Sequence, residues 1–263
     1  MVKVLLVCCI MDRLKQIKIF RENDWYIQVS DGHGTNGHQV AKFLQEVLPE
    51  SIAQGVMNIK SYQERDKQIN LVLKNCFLQT NKELMDSGID ATYSGATTVV
   101  VLFFDNVLYC ANIGDSRAII GRFNNKLSVI ELSKDHKPDC FLEQARILQS
   151  GGRVQAYSDD DGNPIGPARV WKMDEDVPGL AMSRSFGDYI ASQVGVICEP
   201  EIIKHSLLPC DKFIILASDG IWEFYRMSRQ QKQFMNIIRK MIVKELVRSQ
   251  FNQQGKPGKG SNR

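Results

Sequence analysis

Two short Ser-Asp-Gly segments each follow an apolar run, and each carries a carboxylate that could bind a divalent cation. Asp31 follows the alternating run 25–29, and Asp219 follows the apolar run 213–217. Both runs are typical of buried strands, so each carboxylate is expected at the end of a rigid element. Hard divalent cations prefer oxygen ligands, and two such carboxylates on neighbouring strands would line one cleft. Asp-Gly is also a common tight-turn dipeptide, so two purely structural turns are the alternative.

Two further residues extend this pattern. His33 lies two positions after Asp31, and an imidazole beside a metal-binding carboxylate can donate a proton near neutral pH. Asp115 follows another apolar run, 107–113, in the segment Ile113-Gly114-Asp115-Ser116-Arg117. Each residue also has an ordinary alternative, because single histidines are often structural and an Asp in a hairpin turn can hydrogen-bond its own backbone.

Composition is that of a folded domain with a basic end. The chain has 263 residues, which favours one large domain, and 43% of them are hydrophobic. From Arg226 onward there are ten Lys and Arg residues against a single acid, Glu245. A basic segment can attract nucleic acid or anionic membrane, but no nucleic-acid motif accompanies this one. We therefore expect a solvated helix face, and no nucleic-acid partner.

The cysteines indicate a reducing compartment. There are seven of them, an odd number, none forms a C-x-x-C pair, and most lie in apolar runs. No stretch is long and apolar enough to suggest a membrane span. We expect a monomer in the cytoplasm, with the nucleus as the alternative location.

Hydrophobic periodicity predicts an α+β layered fold of two sheets flanked by helices. Helices are predicted at 38–52, 63–86, 138–149 and 229–247. Strands are predicted at 2–10, 24–30, 97–104, 107–113, 117–123, 127–132, 202–207 and 212–217. The polar, turn-rich segment 154–178 is predicted to be a surface flap.

Seven segments together resemble a known family. They are Asp31-Gly32-His33-Gly34, Ser94-Gly95-Ala96-Thr97-Thr98, Gly114-Asp115-Ser116-Arg117-Ala118, Asp135-His136-Lys137-Pro138, Gly151-Gly152-Arg153-Val154, Leu180-Ala181-Met182-Ser183-Arg184-Ser185-Phe186-Gly187-Asp188 and Ala217-Ser218-Asp219-Gly220-Ile221-Trp222. In this order they resemble the metal-dependent protein serine/threonine phosphatases of the PPM class, also called PP2C, over residues 24–224. Seven motifs in order are far more specific than any one of them.

The resemblance implies a fold and a chemistry. The fold would be a PP2C-like β-sandwich of two antiparallel sheets flanked by helices. The cofactor would be a two-metal centre of Mg²⁺ or Mn²⁺ at one edge of the sandwich. A hydroxide bridging the metals would attack the phosphorus of phosphoserine or phosphothreonine directly, so the partners would be phosphorylated proteins.

The resemblance also assigns roles to residues. Asp31 would bridge both metals, the Gly32 carbonyl would bind one, and Asp219 would bind the other. His33 would protonate the leaving alkoxide. Asp115, together with Asp219, would hold a weaker third metal. In addition, Thr97 and Asp188 match positions close to these ligands or to the flap.

The chain departs from the family pattern at both ends. Upstream, Asp12 fits the second of two paired acids and is predicted as a further metal ligand, while Met11 occupies the position of the first acid and Val7 that of an Arg that binds phosphate. Downstream, no Asp follows Asp219, so one ligand and the final core strand are expected to be missing. We therefore predict a phosphatase domain over residues 1–250, incomplete at both ends, and a basic Gly/Lys tail over 251–263.

Two alternatives remain at this level. One is a catalytically impaired pseudophosphatase that binds phosphoproteins or other partners. The other is a different two-metal hydrolase, such as a nuclease, which the acidic body of the chain and the lack of a matching motif disfavour.

Overall fold

The computed structural model describes residues 14–18, 24–59, 62–104 and 106–227, with side chains described for 24–59, 64–104 and 106–223. The helices are α1 (Gly37–Met57), α2 (Tyr62–Asp86), α3 (Phe141–Gln149), α4 (Tyr189–Ser192) and α5 (Asp219–Met227). The strands are β1 (Leu14–Lys18), β2 (Trp25–His33), β3 (Gly95–Phe104), β4 (Val107–Ile113), β5 (Arg117–Asn124), β6 (Lys126–Glu131), β7 (Gly152–Ser158), β8 (Pro164–Lys172), β9 (Pro178–Leu180), β10 (Phe186–Gly187), β11 (Glu201–Ser206) and β12 (Asp211–Ala217).

Two antiparallel sheets face each other. The larger has the order β1-β2-β3-β4-β11, with β10 paired to one end of β3, and the smaller has the order β12-β5-β6. Apolar side chains from both sheets form one buried cluster between them, which includes Ile27, Val99 and Val101 from the larger sheet and Ile120 and Ile214 from the smaller. This sandwich core confirms the predicted fold class.

Helices α1 and α2 cover the opposite face of the larger sheet. Val100 and Leu102 of β3 point to this side, where they pack in a second cluster with Leu44 of α1 and Phe77 of α2. Successive residues of a strand point to opposite faces, so β3 is buried on both. This explains why its sequence is a continuous apolar run rather than an alternating one.

The polar segment 154–178 differs from the prediction. It is not an irregular flap, because β7, β8 and β9 form a separate three-stranded antiparallel sheet. Val170 and Trp171 of β8 are buried, and Val170 packs with Ile147 of α3 and Leu180 of β9. The buried apolar side chains lie at one end of the sheet, while Tyr157 and Ile165 at the other end are exposed, so the average composition of the segment does not reveal them.

Other predicted elements differ in their ends. The strand predicted at 24–30 continues to His33, and the helix predicted at 138–149 begins at Phe141. β1 was not predicted. The predicted strand 2–10, the helix 229–247, the tail 251–263, Asp12 and the missing final strand lie outside the described residues. No helix among the residues described combines the length and hydropathy that crossing a membrane requires.

Candidate active site

The first Ser-Asp-Gly segment is part of a strand rather than a turn. Asp31, Gly32 and His33 continue β2 and pair with Thr97, Ala96 and Gly95 of β3. A Cβ atom on Gly32 would lie 2.2 Å from the carbonyl oxygen of Gly37, so α1 begins directly against the end of this strand. The glycine therefore serves close packing of strand and helix. This corrects the turn alternative and places Asp31 and His33 on a rigid element.

Asp115 is brought to the same end of the sandwich by the turn after β4. Gly114 has φ +88°, and a Cβ atom there would lie 2.5 Å from Cγ2 of Thr97, which is the cross-strand partner of Asp31. The hydroxyl groups of Thr97 and Ser116 lie 2.7 Å apart. The turn that carries Asp115 therefore packs directly on the pair formed by Asp31 and Thr97.

Asp219 reaches this end from the smaller sheet. It begins α5 two residues after Ala217, which pairs with Arg117 at the start of β5. Burial raises the pKa of Asp115, Lys137 lowers it, and the negative charge of Asp219 raises it again, with a net increase. Asp31, Asp115 and Asp219 thus lie at the same end of the sandwich, although Asp219 begins a helix and not a turn.

Lys137 is the direct partner of Asp115. Its Nζ atom donates to Oδ2 of Asp115 at 2.5 Å. The motif Asp135-His136-Lys137-Pro138 was recognised in the sequence, but no role was predicted for this lysine. The contact joins residues 22 positions apart, so no local pattern could have indicated it.

His136 supports the turn that presents Asp115. Burial, together with the charge of Arg184, lowers the pKa of His136 to about 4, so the ring is neutral near pH 7. Its Nδ1 atom accepts a hydrogen bond from the backbone N–H of Gly114 at 3.1 Å, which fixes the proton on Nε2. The backbone N–H of Ser183 donates to the carbonyl oxygen of His136 at 2.9 Å.

His33 is held by a buried carboxylate. Its Nε2 atom lies 2.6 Å from Oδ2 of Asp188, and the hydroxyl of Ser185 donates to the same oxygen at 2.5 Å. Burial lowers the pKa of His33, but the hydrogen bond and charge of Asp188, with smaller effects of Asp115 and Asp31, raise it above its ordinary value overall. His33 is therefore poised to carry a proton.

Glu143 on α3 fixes the segment that carries Asp188. Its carboxylate accepts two hydrogen bonds from Arg184, at 3.0 and 2.6 Å, and one each from Arg146 and Ser183. Burial raises the pKa of Glu143, but these donors outweigh burial and hold the pKa well below its usual range. Arg146 also donates to the carbonyl oxygens of Gly195 and Ser183. Residues 183–188 are thereby anchored to α3.

The donor groups at this end suit a hard divalent cation in type. Asp31, Asp115, Asp219 and the Gly32 carbonyl offer oxygen ligands, and no thiolate is among them. Within the described part of the chain, however, there is no cluster of three or more His, Cys, Asp or Glu side chains that could hold a metal ion. The residues therefore match a divalent cation in the type of their donor atoms. Asp12, the other predicted ligand, lies outside the described residues.

Solved structures with this architecture define the class of fold. A serine-threonine phosphatase 2C from Toxoplasma gondii superposes with a TM-score of 0.70 and 21% identity, covering 90% of this chain and 85% of that one. A C. elegans sex determining protein superposes with a TM-score of 0.64 and 20% identity, covering 81% of this chain and 48% of that one. These similarities show that the sandwich and its helix layers form the PP2C fold.

Sequence comparison then establishes the family. The family model described as protein phosphatase 2C matches residues 9–254. A probable protein phosphatase 2C 73 of Oryza sativa subsp. japonica is 36% identical over 225 residues, covering 74% of this chain, and one of the same name from Arabidopsis thaliana is 34% identical over 221 residues, covering 77%. The chain belongs to the protein phosphatase 2C family, which is metal-dependent. It spans 52% and 58% of the lengths of these two relatives.

Proposed function

We propose that this chain is a metal-dependent protein serine/threonine phosphatase that hydrolyses phosphoserine and phosphothreonine in proteins. The observation that carries the proposal is the convergence of Asp31, Asp115 and Asp219 at one end of a PP2C sandwich, beside His33 and its partner Asp188. Carboxylates with an adjacent proton donor are the groups that hydrolysis of a phosphate monoester requires.

We propose that His33 acts as the general acid. Its Nε2 atom is engaged by Asp188, so Nδ1 is the ring nitrogen that can carry a proton to the leaving oxygen. The raised pKa of His33 favours the protonated ring near neutral pH. The transfer turns a strongly basic serine or threonine alkoxide into a neutral alcohol, which is a far better leaving group.

We propose that Asp31, the Gly32 carbonyl and Asp219 hold Mg²⁺ or Mn²⁺ as a two-metal centre, and that Asp115 with Asp219 holds a weaker third ion. Bound divalent cations supply two things in this chemistry, a lowered pKa of bound water and neutralisation of phosphate charge. The support for this assignment is the oxygen-only donor set. The ion pair of Lys137 with Asp115 offsets the negative charge of one of these carboxylates.

The test compares purified chain with and without Mn²⁺ or Mg²⁺ on a phosphothreonine peptide. We expect turnover that requires the cation, that Asp31→Asn abolishes, and that the matched variant Asp160→Asn, on the exposed turn before β8, leaves intact. Calorimetry measures cation binding in parallel. Absence of both turnover and cation binding in the wild-type chain would refute the proposal in favour of the partner-binding alternative.

We further propose a cytoplasmic location. The support is the state of the cysteines, because Cys76, Cys110, Cys140, Cys198 and Cys210 are all free thiols among the described residues. Imaging of a tagged chain in cells tests this, and accumulation in a secretory compartment would contradict it.

A further inference from the structure

A cleft opens beside His33. It has a volume of about 230 Å³, and its lining includes His33, Tyr93, Arg169, Leu180, Met182 and Asp188. Sites for whole small molecules usually measure about 300–1,000 Å³. This cleft is therefore the size of a single side chain rather than of a complete ligand.

The lining of the cleft is largely apolar. Tyr93 and Met182 form walls, and Pro178 and Leu180 of β9 contribute aliphatic surface. The polar groups that reach it are mostly engaged, since Asp188 is bonded to His33 and Ser185. An apolar occupant therefore leaves few polar groups without partners.

Arg169 brings a positive charge to the cleft, where the carboxylate of Asp188 is already bonded to His33 and Ser185. Its Nη1 atom donates to the carbonyl oxygen of Gly179 at 2.6 Å, which ties β8 to the wall formed by β9. Its guanidinium lies 4.9 Å from the ring centroid of Tyr157, and its Nε atom is buried without a partner among the described groups. Among the described residues, no carboxylate forms an ion pair with Arg169, so its guanidinium presents positive charge at the cleft. A Lys or Arg side chain entering there would meet like charge.

The position of His33 determines which molecule can enter. Under the proposed function, on which this inference rests, the imidazole must come within about 3 Å of the leaving oxygen of the phosphoresidue. Because His33 lines the cleft, the chain of a peptide bound in this way would run beside the cleft. In an extended peptide alternate side chains face the same side, so the second residue before or after the phosphoresidue is directed toward the protein.

We propose that this cleft is a specificity pocket that binds an apolar side chain two positions from the phosphoserine or phosphothreonine of a protein substrate, and that it rejects basic side chains there. Tyr93 lines the cleft and is 55% exposed, so its ring offers apolar surface to an occupant at the solvent side of the cleft.

The test measures binding, so it does not depend on turnover. Peptides carrying a non-hydrolysable phosphonate in place of phosphothreonine have Leu, Ala or Lys at both second positions, and their Kd values for the wild-type chain are measured by fluorescence polarisation. We expect Leu to bind roughly ten-fold more tightly than Ala, and Lys more weakly than Ala. Equal Kd values for the three peptides would overturn the proposal.

Variants locate the preference in the cleft. Tyr93→Ala should reduce the ratio of the Leu and Ala affinities several-fold, and Tyr93→Glu should make the Lys peptide the tighter binder. Phe123→Ala is the matched control, because Phe123 is an aromatic residue of β5 with 52% exposure that does not line the cleft. If Phe123→Ala changes the ratio as much as Tyr93→Ala does, the pocket is wrongly placed.

Hydrolysis of p-nitrophenyl phosphate by the wild-type chain separates this inference from the proposed function. Turnover of this small ester with no discrimination among the three peptides would leave the phosphatase proposal standing and remove the pocket. Discrimination without any turnover would support the pocket and refute the enzyme.

Discussion

The Nε2 atom of His33 and the Oδ2 atom of Asp188 lie 2.6 Å apart, although 155 residues separate them in the chain. Asp188 is only 3% exposed and has φ +48°, a conformation that few non-glycine residues adopt. Strained backbone of this kind persists where the surrounding structure fixes it. Here Ser185 and the anchoring of residues 183–188 to α3 provide that support.

The first prediction concerns this pair. Asp188→Asn removes the negative charge that favours protonated His33, so proton donation to the leaving oxygen should weaken. We expect kcat on a phosphothreonine peptide to fall about 100-fold, and kcat on p-nitrophenyl phosphate to fall far less, because its leaving group needs little protonation. Steady-state kinetics on both substrates measure this, with Asp160→Asn as the control. An equal fall of kcat on both substrates would show that Asp188 only maintains the structure of the site and does not affect proton donation.

The second prediction concerns Lys137. Its ammonium group donates to the Asp115 carboxylate, and under the proposed function a divalent cation would compete with it for that carboxylate. Lys137→Gln should therefore tighten cation binding and enlarge the rise in Tm on adding Mn²⁺, because a ligand that binds only the folded state stabilises it in proportion to its affinity. Thermal unfolding across a Mn²⁺ titration measures the effect. Lys134→Gln, at an exposed neighbouring position, is the control, and a smaller rise for Lys137→Gln than for wild type would contradict the competition.

The third prediction separates close packing from backbone conformation. Gly88 and Gly114 both have positive φ, but a Cβ atom on Gly88 would meet nothing within 4 Å, whereas one on Gly114 would meet Thr97. Gly88→Ala should cost about 1–2 kcal/mol of unfolding free energy for its backbone conformation alone. Gly114→Ala should cost that amount plus roughly 1–3 kcal/mol of steric strain. Urea unfolding measures the loss of unfolding free energy in each variant. Equal losses would mean that the Thr97 side chain moves aside without strain.

The fourth prediction concerns acid stability. Burial raises the pKa of Asp211, but hydrogen bonds from Arg122, the backbone N–H of Leu208 and His205 outweigh it and lower the pKa to about 2 from its ordinary value of 3.8. The carboxylate therefore stabilises the fold above pH 3.8, and this contribution is lost as the pH falls toward 2.

The stabilisation by the Asp211 carboxylate amounts to about 2 kcal/mol, since each unit of pKa difference corresponds to roughly 1.4 kcal/mol. Urea unfolding between pH 6 and pH 2.5 should show this loss in the wild-type chain and a flatter profile in Asp211→Asn. Asp176→Asn, whose side chain is 94% exposed, is the control and should keep the wild-type slope.

The sequence predicted those strands and helices whose burial produces a clear apolar pattern along the chain. β4 was predicted with its observed bounds, because its apolar run ends at Gly114 and the chain turns there. β3 was recognisable because burial on both faces leaves it almost without polar residues. The sheet of β7, β8 and β9 was missed, since most of its residues face solvent and it contributes few apolar residues at strand spacing.

The candidate site also has residues that the sequence predicted and contacts that it did not. Asp31, Asp115 and Asp219 each follow an apolar run, so their positions at strand ends were predictable, and the family motifs supplied their roles. The contacts of Lys137 with Asp115 and of Asp188 with His33 were not predictable from spacing. They depend on how the turn after β4 and the segment before α4 pack onto the sandwich, which is tertiary information.

The anchoring of residues 183–188 to Glu143 has a consequence for how this protein can vary. This segment follows directly on residues Leu180–Met182, which line the cleft, and it ends at Asp188. The Glu143 carboxylate on α3 therefore helps to position both the cleft wall and Asp188. If the two proposed roles hold, a substitution of Glu143 would alter peptide preference and proton donation together, so selectivity and rate would be linked through α3.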